Sequence, residues 1–135
     1  PIAEGWHAAP GLPHAEAMAL ASAGPKAKRA TVYVTLEPCT HFGKTPPCAD
    51  ALIEAGVSRV VVAVKDPNPV AAGGIERLRA AGIRVEFYPH PGAERVARRF
   101  LHAQRTRTAH LTVKAAITMD GRTARPDGSS KWITS

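Results

Sequence analysis

The sequence predicts an α/β fold in which helices alternate with the strands of a parallel sheet. Three observations predict it. Strand-like and helix-like segments alternate along the chain, residues 60–64 form an unbroken apolar run typical of a strand buried on both faces, and Gly or Pro separates several successive segments. Strand, helix, strand repeats form parallel crossovers. Binding residues are then expected at the carboxyl ends of the strands.

Each element follows from composition and end signals. Residues 14–23 are rich in Ala, Met, Leu and Glu and precede Gly24 and Pro25, which predicts a helix. The other predicted helices are 47–55, which begins at a proline and ends before Gly56, 75–81, which ends before Gly82, and the Arg-bearing 93–103. The predicted strands are 31–36, which is β-branched and alternating, 59–64, 83–88 and 111–117.

Composition excludes several classes of protein. With 44% apolar and 21% charged residues, the 135-residue chain is globular rather than disordered or collagen-like. Its longest apolar run is far below the about 20 residues that cross a bilayer, and no segment near Pro1 resembles a signal peptide, so we expect a cytoplasmic protein.

The net charge of +7 would suit a polyanion partner. However, the arginines between residues 95 and 107 lie largely at helical spacing opposite the apolar Val96, Phe100 and Leu101, which favours a solvated face over a nucleic-acid surface.

Three short segments contain the candidate chemistry. His14 precedes Glu16 by two residues, and Cys39 and Cys48 each follow a proline. One imidazole and two thiolates leave a tetrahedral Zn²⁺ with an open position, which is the catalytic pattern. Glu16 lies in the same helical turn as His14 but points in another direction, so it can carry protons without ligating the metal. Zinc nucleobase deaminases show this pattern, with two residues between the cysteines where this chain has eight. The alternatives are a small disulfide loop, or an ordinary histidine with two buried, apolar-like cysteines.

The same residues resemble a known family. Residues 13–16, 35–48 and 66–69 closely resemble the bifunctional deaminase/reductase family of riboflavin biosynthesis, in which the long insert between the cysteines is distinctive. The resemblance implies a cytidine deaminase-like three-layer α/β/α sandwich that deaminates 2,5-diamino-6-(5-phosphoribosylamino)pyrimidin-4(3H)-one. Residues 112–122 and 130–134 resemble the opening of the reductase. They imply a zinc deaminase domain over 1–106 and, over 107–135, the first strand of a dihydrofolate reductase-like α/β domain that uses NADPH.

The resemblance also implies roles for individual residues. His14, Cys39 and Cys48 match the zinc ligands and Glu16 matches the proton shuttle. The positions that match substrate-binding residues are His7, Lys44, Asp66 and Asn68, and those that match the reductase substrate and cofactor sites are Lys114, Asp120, Ser130 and Trp132. The alternatives are that Lys44 is a solvated loop charge and that Asp66 and Asn68 are turn formers.

Finally, the resemblance predicts that the chain is incomplete. The family's deaminase begins with a helix and two strands that we do not find here, and most of the reductase is also missing. We expect the isolated chain to expose a sheet edge and an apolar face, and therefore to express poorly or self-associate. The parent protein is expected to be a homo-oligomer acting on a small molecule. Two rival interpretations are a deaminase of nucleic acids or free nucleosides and a non-catalytic zinc-binding remnant.

Overall fold

A three-stranded parallel sheet forms the centre of the computed structural model, which describes residues 1–130. The elements in chain order are α1 (Ala15–Ala23), β1 (Thr31–Val34), α2 (Cys48–Glu54), β2 (Arg59–Val62), α3 (Gly74–Ala80), β3 (Arg84–Phe87) and α4 (Pro91–Thr106), with a short 3-10 helix (Gly24–Ala27) after α1. The strands lie in the order β1-β2-β3, and both pairs are parallel. The predicted alternation and the parallel sheet are therefore confirmed.

The main core lies between one face of the sheet and three helices. Val60 and Val62 of β2 are fully buried against Leu52 of α2 and Leu78 of α3. Leu20 of α1 packs against the same cluster. Burying each of these aliphatic side chains stabilises the fold by about 1.5–3 kcal/mol. The same packing fixes α1, which begins directly after His14, and α2, which begins at Cys48.

The opposite face of the sheet is only partly covered. Ala93 and Leu101 of α4 are buried with Val64, which makes a second, smaller core and gives the predicted third layer. Beside α4 an apolar groove of about 550 Å³ remains open, and Tyr33, which is 73% exposed, lies in it. β1 is also an edge strand of the described sheet. The structure thus has the free sheet edge and the open apolar face that were expected from the sequence.

Several boundaries differ from the predicted ones. β1 and β2 each end two residues early, although the N–H of Glu37 still donates to the carbonyl oxygen of Val64 at 2.8 Å beyond the two strand ends. α4 is longer than predicted at both ends. It begins at Pro91, where the His90 imidazole accepts the N–H of Gly92, and it ends before Arg107, whose φ is 60°. These end interactions depend on local backbone geometry that composition does not indicate.

The predicted strand over residues 111–117 is wrong. The described chain has neither helix nor strand after α4, and Leu111, Val113 and Ile117 are 83%, 77% and 63% exposed. A strand is stable only when a neighbouring strand pairs with it, and no strand within residues 1–130 pairs with this segment. The first strand of a dihydrofolate reductase-like domain is therefore not formed here.

Among residues 1–130, no helix is both long enough and apolar enough to cross a bilayer.

Candidate active site

The three predicted ligands meet at the carboxyl edge of the sheet. His14 immediately precedes α1, Cys39 follows β1 and Cys48 is the first residue of α2. The Nδ1 of His14 is 3.2 Å from the sulfur of Cys48 and 3.6 Å from the sulfur of Cys39, and all three atoms lie within 4.8 Å of one another. Both cysteines are buried, and His14 is half-buried. The backbone N–H of Cys48 donates to the Cys39 sulfur over 3.4 Å. Residues 37–40, called the ligand turn below, therefore contact the start of α2 directly.

These separations suit zinc. With Zn–S bonds of about 2.3 Å and Zn–N bonds of about 2.0–2.1 Å, tetrahedral ligand atoms are about 3.5–3.8 Å apart. The observed nitrogen-to-sulfur distances come within a few tenths of an ångström of that range. One imidazole and two thiolates are also the borderline and soft donors that zinc prefers. The cysteines are free, not joined in a disulfide. The donor set therefore fits a zinc ion with three protein ligands.

The two thiols influence each other strongly. The hydrogen bond with Cys48 lowers the pKa of Cys39 to about 5, and the same contact raises the pKa of Cys48 above its ordinary value. Burial opposes the ionisation of both sulfurs. Zinc binding requires both sulfurs as thiolates, so it is coupled to the loss of their protons.

Glu16 lies beside this cluster without being part of it. It occupies the first turn of α1, two residues from His14. Burial raises the pKa of its carboxyl group, while backbone hydrogen bonding, the charge of His14 and a hydrogen bond with Cys48 lower it. A carboxyl group next to a metal site can accept and release a proton when its pKa suits the reaction. The role of Glu16 as a proton shuttle stays a prediction.

A small cavity opens next to His14. It has a volume of about 220 Å³, and its lining includes His7, His14, His41 and Lys44. The His7 ring packs edge-on against the His14 ring at 5.1 Å between centroids, and His7 Nδ1 is 3.2 Å from the carbonyl oxygen of Pro13. The structure thus brings two predicted substrate-binding residues, His7 and Lys44, to one cavity with a zinc ligand. Within the described residues, the buried Nδ1 of His41 has no hydrogen-bond partner.

Asp66 and Asn68 lie in the loop after β2 and do not line this cavity. Asp66 Oδ1 accepts the N–H of Asn68 at 2.8 Å, and the Asn68 side chain accepts the N–H of Val70 at 3.1 Å. Both are therefore turn formers, as the sequence allowed. Partial burial raises the pKa of Asp66, and the charges of Glu37 and Cys39 act in the same direction, so Asp66 lies within electrostatic reach of the metal ligands.

The predicted reductase residues are separate from this site. Lys114, Asp120 and Ser130 are exposed in the segment without helix or strand, and Asp120 forms an ion pair with Arg122 at 2.9 Å. Trp132 lies outside the described residues. Among the described residues, the structure does not gather Lys114, Asp120 and Ser130 into a site.

Sequence reasoning assigned no role to Glu37. Glu37 is a charged residue, yet it is only 6% exposed. Its carboxylate accepts hydrogen bonds from the backbone N–H groups of Asp66, Gly73 and Ile75. One signal in the sequence could have indicated this role. Glu37 stands between a predicted strand and Pro38-Cys39, and a carboxylate buried at such a place needs hydrogen-bond donors around it.

Known proteins resemble this chain in sequence and in fold. Residues 1–64 match the family model for the cytidine and deoxycytidylate deaminase zinc-binding region. With the α/β/α layers and the His14, Cys39 and Cys48 cluster, this match defines a cytidine deaminase-like zinc-binding protein.

Two curated relatives are similar in sequence to nearly the whole of this chain. The riboflavin biosynthesis protein RibD of Aquifex aeolicus is 53% identical over 97% of this chain, and that of Escherichia coli is 52% identical over 99%. The chain belongs to the RibD family. It spans 37% of the length of each of these two relatives.

Solved structures agree. Acinetobacter baumannii RibD matches 99% of this chain and 38% of its own, with a TM-score of 0.88 and 51% identity. A Thermotoga maritima protein, described as a diaminohydroxyphosphoribosylaminopyrimidine deaminase/5-amino-6-(5-phosphoribosylamino)uracil reductase, matches with a TM-score of 0.90 and 43% identity over 99% of this chain and 40% of its own. The similarity therefore covers nearly all of the chain but less than half of each relative.

Proposed function

We propose that this chain supplies the deaminase site of a riboflavin-pathway enzyme that acts on 2,5-diamino-6-(5-phosphoribosylamino)pyrimidin-4(3H)-one. One observation supports it above all: an imidazole nitrogen and two thiol sulfurs lie within 4.8 Å of one another, with the Glu16 carboxyl group beside them. The deaminase name of the Thermotoga maritima relative indicates the substrate class. A purely structural zinc site would need no carboxyl group at this position, and it more often has four protein ligands.

The reaction exchanges an amino group for an oxygen. His14, Cys39 and Cys48 would hold a zinc ion, which would supply a Lewis acid for the activation of water at neutral pH. Glu16 accepts a proton from the attacking water as the new carbon–oxygen bond forms at the amidine carbon. It then gives a proton to the amino group as the carbon–nitrogen bond breaks and ammonia leaves. The raised pKa of Glu16 suits both transfers, because a carboxyl group that ionises readily would be a poor proton donor.

The cavity beside His14 would hold the rest of the substrate. Lys44 is exposed at its rim and offers a positive charge for the phosphate, and His7 offers a ring nitrogen for the base or the sugar. Asp66 and Asn68 would contact amino and hydroxyl groups from the neighbouring loop. We propose His7, Lys44, Asp66 and Asn68 as the substrate-binding residues.

The remainder of the parent protein is part of the same proposal. We infer that residues 1–106 belong to the deaminase and that 107–135 begin an NADPH-dependent reductase, with Lys114 and Asp120 near the sugar and Ser130 and Trp132 near the cofactor. We further propose a cytoplasmic homo-oligomer that does not bind nucleic acid. The exposed arginines of α4 would then be a solvated face.

The test is ammonia release from the ribotide by the natural protein that carries this chain. The variant Glu16→Gln should retain one zinc per chain by elemental analysis while losing about 10²–10⁴-fold in kcat, the usual contribution of a general acid and base. Glu54→Gln, which makes the same change at the exposed end of α2, is the matched control and should keep full activity.

Three results would overturn the proposal: a metal-free protein, full activity in Glu16→Gln, or no release of ammonia from the ribotide. Tight tRNA binding with a steep salt dependence would favour the nucleic-acid deaminase instead.

A further inference from the structure

Glu37 has an unusual environment for an acidic side chain. It is only 6% exposed, and no Lys or Arg of residues 1–130 forms an ion pair with it. Backbone groups solvate its charge instead. Oε1 accepts the N–H of Gly73 at 3.0 Å and that of Ile75 at 3.1 Å, and Oε2 accepts the N–H of Asp66 at 3.2 Å. A buried carboxylate is tolerated when several N–H groups donate to it.

The three N–H donors lie at the two ends of one segment, residues 66–75. Asp66 lies in the loop after β2, four residues beyond the end of that strand, whereas Gly73 and Ile75 lie at the start of α3. Glu37 itself stands two residues before Cys39 in the ligand turn. A single side chain therefore joins the metal-ligand turn to the beginning and the end of residues 66–75.

Further contacts hold the middle of this segment against the same turn. The Thr40 hydroxyl donates to the carbonyl oxygen of Ala72 at 2.8 Å, and the Thr40 N–H donates to that of Ala71 at 3.1 Å. Ala71 is buried in one cluster with Cys39 and Cys48. The segment thus follows the ligand turn along its length, and the Glu37 carboxylate fixes its two ends.

We propose that Glu37 is a positioning residue that sets where the Asp66–Asn68 loop stands relative to the metal ligands. Its Oε2 holds the backbone of Asp66, and Asp66 Oδ1 in turn holds the N–H of Asn68. The inference rests on the proposed function in one respect, since it takes Asp66 and Asn68 to contact the substrate. Glu37 acts through these two residues and does not touch the reacting atoms.

The discriminating variant is Glu37→Gln in the natural protein that carries this chain. Its amide oxygen can keep the two donors at the start of α3, but its NH₂ group then faces the N–H of Asp66, where two donors oppose each other. We expect the KM for the ribotide to rise about tenfold, the lower end of what losing a hydrogen bond to a charged group produces. The expected kcat changes less than threefold, and zinc content stays at one per chain. Glu76→Gln, an exposed position on α3, is the matched control.

Amide hydrogen exchange gives a second measurement that does not depend on activity. In Glu37→Gln, protection should fall at Asp66 and Asn68 and persist at Gly73 and Ile75. Should Glu37→Gln fail to fold, Glu37→Asp is measured in the same way. It keeps the charge but is one methylene shorter, so it cannot reach both ends of the segment, and the same rise in KM is expected.

Unchanged KM together with unchanged exchange at Asp66 would overturn the proposal. So would a loss of zinc and kcat at constant KM, because Glu37 would then support only the ligand turn. If the unsubstituted protein does not deaminate the ribotide, the proposed function fails, while the exchange measurement still decides whether Glu37 holds the loop.

Discussion

Gly74 is the point where α3 comes closest to the metal-ligand turn, and Gly74→Ala tests how tightly the two are joined. A Cβ at this position would lie 1.9 Å from the carbonyl oxygen of Pro38 and 3.0 Å from its carbon, whereas ordinary contact begins at 3.4 Å. The helix and the turn must therefore separate by roughly 1.5 Å to reach ordinary contact. The hydrogen bonds from Gly73 and Ile75 to Glu37, now 3.0 and 3.1 Å, would then be broken.

The expected cost follows from these contacts. Overpacking against backbone costs about 1–3 kcal/mol, and losing each of the two hydrogen bonds to the buried Glu37 carboxylate costs about 1.5–3 kcal/mol. The better helix propensity of Ala offsets about 1 kcal/mol. We expect a net loss of at least about 3 kcal/mol in the free energy of unfolding, measured by urea denaturation of the zinc-loaded natural protein, with weaker zinc retention.

Gly92→Ala is the matched control. The same change is made near the start of α4, but there the nearest atoms belong to the His90 ring, at 2.9 Å, and a side chain can move aside. Its unfolding free energy should change by about 1 kcal/mol or less. If Gly74→Ala were as stable as the unsubstituted protein or more so, helix propensity alone would decide and the close approach of α3 to Pro38 would be incorrect.

Three further outcomes are expected. Leu78→Ala should cost about 2–5 kcal/mol in chemical denaturation because Leu78 is fully buried, whereas Leu111→Ala, at an 83% exposed position, should change stability little; equal effects would contradict the assigned core. Asp66→Asn should raise stability at neutral pH, because burial raises the pKa of Asp66 and so penalises its carboxylate in the folded state. That gain should vanish as pH falls through the raised pKa towards the ordinary value of 3.8, and a gain that grew in acid would refute it. The isolated 135-residue chain should self-associate through its open sheet edge and apolar face; a monomer that melts cooperatively would disprove this.

The sequence by itself determined the elements and the ligand set. Helix composition, end signals and the apolar run of β2 act locally, so seven of the predicted elements were found close to where they were placed. His14, Cys39 and Cys48 could be selected because zinc constrains both the type of its ligands and the elements that present them. The β1-α2-β2 crossover places Cys39 and Cys48 at one sheet edge, and His14, just before α1, meets them there within 4.8 Å.

Only the tertiary structure decided the rest. The role of Glu37 depends on N–H groups 29 to 38 residues away along the chain, and no local pattern shows which backbone donors will face a buried carboxylate. The cavity that joins His7, His14 and Lys44 is likewise a product of distant loops. Residues 111–117 are a case in which the local pattern predicted an element that the structure does not form. Their β-branched composition favours a strand, but a strand exists only when another strand pairs with it, and that partner is a property of the whole fold.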